Sequence, residues 1–475
     1  MSRVLLYESI AQSLRQQIQL GALAPGERIP SIRQLSRTHA VSTATAVQAC
    51  LMLEREGLIH ARMRSGFFVR AVGPSANAKA PRMRKPRSMQ NAELLTLQAV
   101  REGPALIPLH DARPAPSLLP EAALSAAVSR RLRNERSTAL DYAPAQGHAE
   151  LRRLIAHRYA EMSVTIDPDE VIITAGTMEA ISLALRTLTR AGDVVMVETP
   201  TFQGVLQAVA ALGLTVVELP RPNGDSFDLK RLEALLSAHQ VKAAILVPNF
   251  SNPIGRRADD AAKQALLALC ARHSTVVIED DIYGDLAWDN SRPFPLRRWG
   301  SDDRVITCGS FSKSLAPGLR VGWLLGGAWT EALIRAKYFS TYGNASLPQL
   351  ALIDYLGRHQ QERHFRRLRR AIAENAERLR DAIFRHWPDG TCSGDPRGGL
   401  SLWVQLPAGA DGSRLAEVAM AEGIGITPGR HFSSFGDYTD HVRLSCGLPW
   451  SPELSRAMRR LGALIRDQQE SAART

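Results

Sequence analysis

The chain has 475 residues, 45% apolar and 22% charged, enough for about two to four packed domains and unlike a disordered or disulfide-stapled polymer. No apolar run approaches the ~20 residues of a bilayer span, the Met1-Ser2-Arg3 start does not read as a secretory signal, and the five cysteines (Cys50, Cys270, Cys308, Cys392, Cys446) lack zinc-site spacing, so a reduced, cytoplasmic protein without a metal centre is expected. The net charge of +12 is concentrated, because residues 1–70 carry nine Lys/Arg against four Asp/Glu and residues 71–87 add five basic residues and no acid; the front of the chain is the polyanion binder, with double-stranded DNA as the expected partner.

Tyr7, Ile10, Leu14 and Ile18 recur at helical spacing and predict an amphipathic helix over 4–20, ended by Gly21 and the Pro25-Gly26 turn. Ser31 followed by Gln34 predicts the capped start of a second helix, with Ile32, Leu35 and Ala40 as its buried face. A third helix starts after Ser42, carries Val47, Leu51 and Glu54, and stops at Gly57. Leu58-Ile59-His60 and Phe67-Phe68-Val69, joined by Arg62-Met63-Arg64-Ser65-Gly66, predict a hairpin.

Three helices and a hairpin in this order resemble a winged helix-turn-helix, and residues 4–70 resemble the GntR family of bacterial regulators. The resemblance implies a third helix in the major groove, with Arg33, Thr43, Thr45 and Gln48 toward the bases and Arg62 and Arg64 at phosphates. Taken singly, each is equally a solvated surface residue. Residues 71–104 read as a basic linker, and its first part, 71–90, holds three prolines and little apolar periodicity. It is either a solvated tether or a non-specific DNA contact.

From about residue 105, β-rich runs alternate with helical patterns: Val171–Thr174, Val194–Val197, Ala244–Val247, Val276–Ile278 and Val305–Thr307. Alternation of this kind predicts a mostly parallel sheet covered on both faces, with ligands at the carboxyl ends of its strands. Each run is followed by chemistry: Gly176-Thr177-Met178, a glycine opening a helix and a seat for phosphate; Pro200-Thr201-Phe202; Pro248-Asn249-Phe250-Ser251-Asn252-Pro253; Glu279-Asp280-Asp281-Ile282-Tyr283; and Gly309-Ser310-Phe311-Ser312-Lys313 with Pro317-Gly318-Leu319-Arg320 beyond it. The three adjacent carboxylates of residues 279–281 cannot all be buried cheaply without partners.

This motif order, closing with His441-Val442-Arg443-Leu444-Ser445, is similar to fold-type I pyridoxal-phosphate enzymes of the aspartate aminotransferase class over residues 105–465. The resemblance implies the cofactor pyridoxal 5'-phosphate, bound as a Schiff base by Lys313, whose freed amine would then serve as general base. It further implies that Asp280 pairs with the pyridine nitrogen, that Asn252 and Tyr283 hydrogen-bond the phenolic oxygen, and that Phe202 stacks on the ring. Gly176, Thr177, Met178, Ser310 and Arg320 would hold the phosphate, helped by Tyr142 of a second subunit. Arg443, with Asn252, would hold a substrate carboxylate through its guanidinium fork. One departure is Ala112-Arg113, where many relatives have a glycine near the substrate.

A GntR-type winged helix (1–70), a linker (71–104) and an aminotransferase-like domain (105–475) together resemble the MocR-type subfamily of transcription regulators. Within the last part, a large subdomain over 141–344 and a small one built from 105–140 and 345–475 are expected. The resemblance implies a homodimeric DNA-binding regulator that senses an amino compound through Lys313. Two alternatives stay open: a working aminotransferase with a DNA-binding front, and a sensor of the cofactor itself.

Overall fold

The computed structural model describes residues 6–19, 22–23, 27–55, 58–62, 66–69, 84–88, 107–221, 226–301, 303–358 and 361–473. The chain divides into a front unit, Met1–Ala78 with Cys392–Asp395, and a large unit, Lys79–Thr391 and Pro396–Thr475.

In the front unit, helix α1 (Leu6–Gln19) buries Ile10 and Leu14, as its spacing requires. Helix α2 (Ile32–Thr38) starts with the expected reciprocal cap: the Ser31 hydroxyl accepts from the Gln34 amide and the Gln34 side chain accepts from the Ser31 amide. It ends sooner than the sequence suggests. Ala40, expected on the buried face, is exposed in a left-handed turn with φ of 50°. Helix α3 (Thr43–Arg55) is capped by Ser42, whose hydroxyl accepts from the Thr45 amide at 3.1 Å. Leu51 on that helix faces outward, and Ala46, Ala49, Cys50 and Leu53 make the core contact. Strands β1 (Ile59–Arg62) and β2 (Gly66–Val69) pair antiparallel as the wing.

The large unit opens with a correction to the tether reading. Residues 87–88 form an edge strand, β3 (Arg87–Ser88), of the main sheet, and the side chains of Arg84 and Arg87 are engaged. The elements that frame the site are helix α4 (Glu121–Asn134), β4 (Val171–Thr174), α5 (Thr177–Leu188), β5 (Val194–Thr199), β6 (Thr215–Pro220), β7 (Val241–Leu246), β8 (Val276–Asp280), β9 (Val305–Ser310), β10 (Gly322–Leu325), α6 (Ser346–Leu356), α7 (Gln361–His386), β11 (Ser401–Gln405), β12 (Thr427–Pro428), β13 (His441–Ser445) and α8 (Pro452–Ala473), with further helices and short strands between them. The sheet runs β3-β6-β5-β7-β8-β9-β10-β4. Its five middle strands are parallel, while β10 and β3 are antiparallel to their neighbours. Strands β4, β8 and β9 are buried along their whole length, which is why they read as unbroken β-branched runs rather than alternating ones.

A second core forms around the antiparallel set β11, β13 and β12, where α7 and α8 pack with Leu402, Leu444, Leu461 and Ile465. The boundaries expected for the small subdomain need adjusting. Leu124 and Ala127 of α4, Ala139, and Leu350–Ile353 of α6 share a core with Ile173 and Leu325 of the main sheet. Their apolar faces close over β4 and β10, so 121–140 and 346–356 pack as part of the large subdomain.

Candidate cofactor and effector site

The site lies at the carboxyl ends of the parallel strands, where strand-to-helix connections leave backbone groups free. After β4, Gly176 adopts φ 110°, and helix α5 begins with no side-chain cap, so its first amides keep their donors. Across from them, Arg320 donates to the Ala175 carbonyl and, at 3.3 Å, to the Ser312 hydroxyl. A Cβ on residue 176 would stand 2.8 Å from an Arg320 nitrogen. Only glycine leaves room for the guanidinium beside the helix start, and together they make a cradle for a dianion.

The Ser310 hydroxyl donates to the Val321 carbonyl at 2.9 Å, accepts from the Ser312 amide as the cap of the turn, and lies 2.8 Å from the Ser312 hydroxyl. Ser312 in turn stands beside Arg320, so both serines lie at the cradle. Thr177 is buried at the first position of α5. Met178 and Phe202 are half-buried against the same core, and a Cβ on Gly204 would meet the Phe202 ring at 2.5 Å and the Met178 sulfur at 3.1 Å. Gly204 thus leaves room for the Phe202 ring and the Met178 sulfur.

The three carboxylates at the end of β8 find different fates. Glu279 accepts from the Leu296 amide at 2.7 Å and the Thr307 hydroxyl at 2.8 Å. Asp281 accepts from Arg292 at 2.7 Å and Asn249 at 2.8 Å, and Arg292 also holds Asp285. Asp280 has only the Ile282 amide at 3.2 Å and forms no ion pair among the described residues. Burial pushes it up to about 7. Of the three, Asp281 holds an ion pair, to Arg292, Glu279 holds two neutral donors, and Asp280 has the fewest partners.

Lys313 follows β9 and donates to the Ala112 carbonyl at 2.7 Å. Desolvation pulls its amine down to about 8, against the opposing pull of Asp111. Tyr283 is buried, and its hydroxyl accepts from the Asn252 amide nitrogen at 3.4 Å. Arg443, on β13, is buried with neutral neighbours: the His110 carbonyl, the Thr427 hydroxyl at 2.8 Å and the Asn252 carbonyl oxygen at 3.5 Å. Its Nε has no hydrogen-bond partner, and burial lowers its pKa. A buried guanidinium without a carboxylate is costly unless an anion arrives. The loop Leu109–Arg113 thus holds both cationic groups through its carbonyls, and in place of the relatives' glycine Arg113 pairs with Asp111 at 2.6 Å.

Tyr142 is 82% exposed and rests on Tyr342, ring centres 5.1 Å apart. In the front unit Arg33, Thr43 and Gln48 are exposed, whereas Thr45 is half-buried with its hydroxyl 2.8 Å from that of Ser42, the cap of the helix. Arg62 ends β1, and Arg64 lies outside the described residues. Among the described residues no helix is long and apolar enough to cross a membrane, and no acidic, histidine and cysteine cluster could hold a metal.

A lysine after a buried strand, a lone aspartate one strand away, a glycine-made anion cradle and a buried arginine define a domain of the aminotransferase class, here joined to a winged helix. Residues 111–461 match the model for aminotransferase classes I and II, and residues 6–69 match the model for bacterial regulatory proteins of the gntR family. The chain belongs to the class I and II aminotransferase family, in the MocR-type arrangement with a GntR domain at its front. It is 34% identical over 464 residues to the HTH-type transcriptional regulator YdcR of Escherichia coli, covering 97% of this chain and 99% of that one. It is 30% identical to the 2-aminoadipate transaminase of Thermus thermophilus over 80% of this chain and 94% of that protein. Among solved structures, LysN, the α-aminoadipate aminotransferase of T. thermophilus in complex with N-(5'-phosphopyridoxyl)-L-leucine, superposes with a TM-score of 0.72 at 29% identity, covering 78% of this chain and 95% of that one. This chain is a DNA-binding regulator with an aminotransferase-like domain.

Proposed function

We propose that this regulator holds pyridoxal 5'-phosphate at Lys313, senses a carboxylate-bearing amino compound there, and passes the occupancy of that site to its DNA-binding unit through the linker, acting in the cytoplasm as a homodimer. When bound, the cofactor supplies an aldehyde carbon that exchanges one amine for another and a ring that draws electrons from the amine's substituents. The Gly176–Met178 amides, Ser310, Ser312 and Arg320 would hold its phosphate, Phe202 its face, Asn252 and Tyr283 its phenolic oxygen, and Asp280 the proton on its ring nitrogen. These residues fit the group: the start of α5 has no side-chain cap and faces Arg320, and Asp280 makes no ion pair among the described residues.

The chain's own residues do the selecting. Brought down to about 8, Lys313 has a minor neutral population near neutral pH, far above that of an ordinary lysine, so its Nζ can give up or take a proton. Arg443 exchanges neutral acceptors for a carboxylate, a gain that an amine without an acid group cannot supply.

The observation that carries the sensing step is a bridge between the linker and this arginine. Strand β3 is hydrogen-bonded to β6, while Arg87 donates to the Ser434 carbonyl at 2.6 Å and Arg84 pairs with Asp437 at 3.0 Å. Both guanidinia lie over the Phe435 ring, at 4.8 and 5.8 Å. Glu218 on β6 accepts from the Ser434 amide and the Ser433 hydroxyl. The same loop begins at Phe432, whose ring packs against Arg443. A shift of Arg443 on taking a carboxylate would thus load the grip on Arg84 and Arg87.

Arg84→Ala/Arg87→Ala tests this. The variant should still bind cofactor and amino acids, read from visible absorbance, while its DNA affinity should no longer respond to the amine. An unchanged response overturns the linker route, and a DNA response to cofactor alone makes the cofactor the signal. A second reading, catalytic turnover, is favoured by the full set Lys313, Asp280, Tyr283 and Arg443. Net transfer of an amino group from an amino acid to a keto acid would establish it. The exposed face of Leu140, Tyr142, Tyr338, Phe339 and Tyr342 supports the dimer, since contiguous exposed aromatics mark an interface; Tyr142 would reach the partner's phosphate seat from it.

A further inference from the structure

Beyond the basic front of the chain, the average charge conceals a second concentration. Residues 358–370 hold six arginines and one glutamate. Two of the six are consumed structurally: Arg369 is buried and donates to the Asp285 carbonyl at 2.7 Å, and Arg358 pairs with Asp354 at 3.3 Å. The other four, Arg363, Arg366, Arg367 and Arg370, occupy positions i, i+3, i+4 and i+7 of α7, one face of the helix. All four are exposed. Arg370 makes a solvent-exposed pair with Glu374 at 3.4 Å, and Arg363, Arg366 and Arg367 make no ion pair among the described residues.

This face forms one wall of an open groove of about 1300 Å³, whose other wall includes Pro120, Trp288 and Tyr355. Glu374, Glu377 and Arg378 line its far end, so the positive charge is densest over the first two turns and partly offset beyond them. A helix rises about 1.5 Å per residue, which spreads the four guanidinia over roughly 10 Å. Duplex DNA presents a phosphate about every 3.4 Å of axis on each strand, so the stripe spans about three phosphates of one strand. It faces solvent across a groove too open to enclose a small anion on all sides, and guanidinia suit phosphate oxygens by their forked donors.

We propose that this arginine face of α7 is a second, sequence-independent contact for the backbone of duplex DNA, lying on the aminotransferase-like unit and adding to the grip of the winged helix. The proposal rests on the reading that the chain binds DNA through its front unit. That unit and this face belong to one chain, so DNA held by the first raises the local concentration of phosphate available to the second. Such a contact supplies affinity and a steeper salt dependence without choosing sequence.

The experiment measures binding of the full-length, cofactor-loaded protein to a 60-base-pair mixed-sequence duplex by fluorescence anisotropy over a range of salt. Three variants are compared with the parent chain: Arg363→Gln/Arg366→Gln/Arg367→Gln; the corresponding triple lysine variant; and a control that removes three exposed arginines elsewhere, Arg335→Gln/Arg385→Gln/Arg456→Gln. The glutamine triple should flatten the slope of log affinity against log salt by about 2.7, at roughly 0.9 per lost phosphate contact. The lysine triple should retain most of the slope, and the control should change it little. Equal slopes for the parent chain and the glutamine triple, or equal losses in the glutamine triple and the control, overturn the proposal. So does tripolyphosphate binding by the parent chain that the glutamine triple lacks, if the DNA slope is unaffected. Visible absorbance of the bound cofactor reports that each variant is folded. A parent chain that binds no DNA would instead refute the regulator reading, so the two failures are distinguishable.

Discussion

The guanidinium carbon of Arg443 lies 5.5 Å from the centre of the Phe432 ring, and the Phe432 carbonyl accepts a 2.8 Å hydrogen bond from the amide of Thr201. Arg443 sits on β13 and Thr201 beside Phe202 at the end of β5, so one aromatic residue touches both the Arg443 and the Phe202 sides of the site. A ligand that engages Arg443 therefore acts on a segment already tied to the main sheet.

Arg443→Gln should separate carboxylate recognition from amine recognition. Charge-assisted hydrogen bonds contribute about 1.5–3 kcal/mol each, so the affinity for alanine should fall by about 10–100-fold while that for ethylamine stays unchanged. Spectral titration of the cofactor-loaded protein measures both. Equal losses for the two amines would show that the arginine serves only to pack the site.

Capture of the cofactor should depend on pH through Lys313. Its amine is nucleophilic only when neutral, and desolvation brings it down to about 8. The rate of covalent capture at limiting cofactor should rise from pH 7 to about 8 and then level, instead of climbing toward the ordinary lysine value near 10.4. Borohydride reduction followed by mass measurement of the labelled peptide reads it directly, and Lys313→Ala should abolish the label.

The cofactor-free protein should lose stability across the acid-to-neutral range because of Asp280. Its folded pKa is raised to about 7 from an ordinary value of 3.8. A raised carboxyl favours the protonated folded form, so its contribution is complete below about pH 4 and is lost as pH rises through about 7. Asp280→Asn should flatten that fall by about 2–4 kcal/mol in denaturant unfolding. Glu279, also raised, to about 8, remains in the variant and keeps a residual slope.

In the front unit, capping and reading should come apart. Ser42→Ala removes the acceptor for the Thr45 amide and should cost about 1 kcal/mol of stability. Gln48→Ala, at an exposed position of the same helix, should leave thermal unfolding unchanged and weaken DNA binding.

The exposed aromatic face should hold the dimer. Phe339 is 79% exposed, so Phe339→Asp should leave the fold intact and shift sedimentation toward monomer. If Tyr142 serves the partner's phosphate seat, the monomeric variant should also bind cofactor more weakly.

Buried parallel strands announce themselves because both faces need β-branched residues, and Val171–Thr174 and Val305–Thr307 are legible for that reason. Strand β10, Gly322–Leu325, is equally buried but carries no valine or isoleucine and runs antiparallel, which apolar composition alone does not convey. That Lys313, Asp280 and Asn252 stand at or just beyond strand ends is also legible, since motif order places them there. Their backbone partners are not: the carbonyls of His110 and Ala112, which hold Arg443 and Lys313, depend on how a loop from elsewhere in the chain lies across the site. The contact of Ser310 with Ser312, which in turn meets Arg320, rests on a turn geometry that the motif alone does not convey. The docking of the basic linker is hidden from composition, which records solubility, because it depends on Phe435 and on Asp437, 353 residues beyond Arg84 in the chain.

The two-residue strand β3 has one more consequence. It covers the Thr215 and Val216 end of β6, the outermost long strand of a sheet whose interior is strongly apolar. Trimming the chain to an isolated catalytic-like domain beginning after Ser88 would bare that margin, and uncovered strand margins recruit one another. A fragment cut ahead of Arg84 should stay monodisperse where a slightly shorter one precipitates, making the last residues of the tether a guard against self-association as well as a connection.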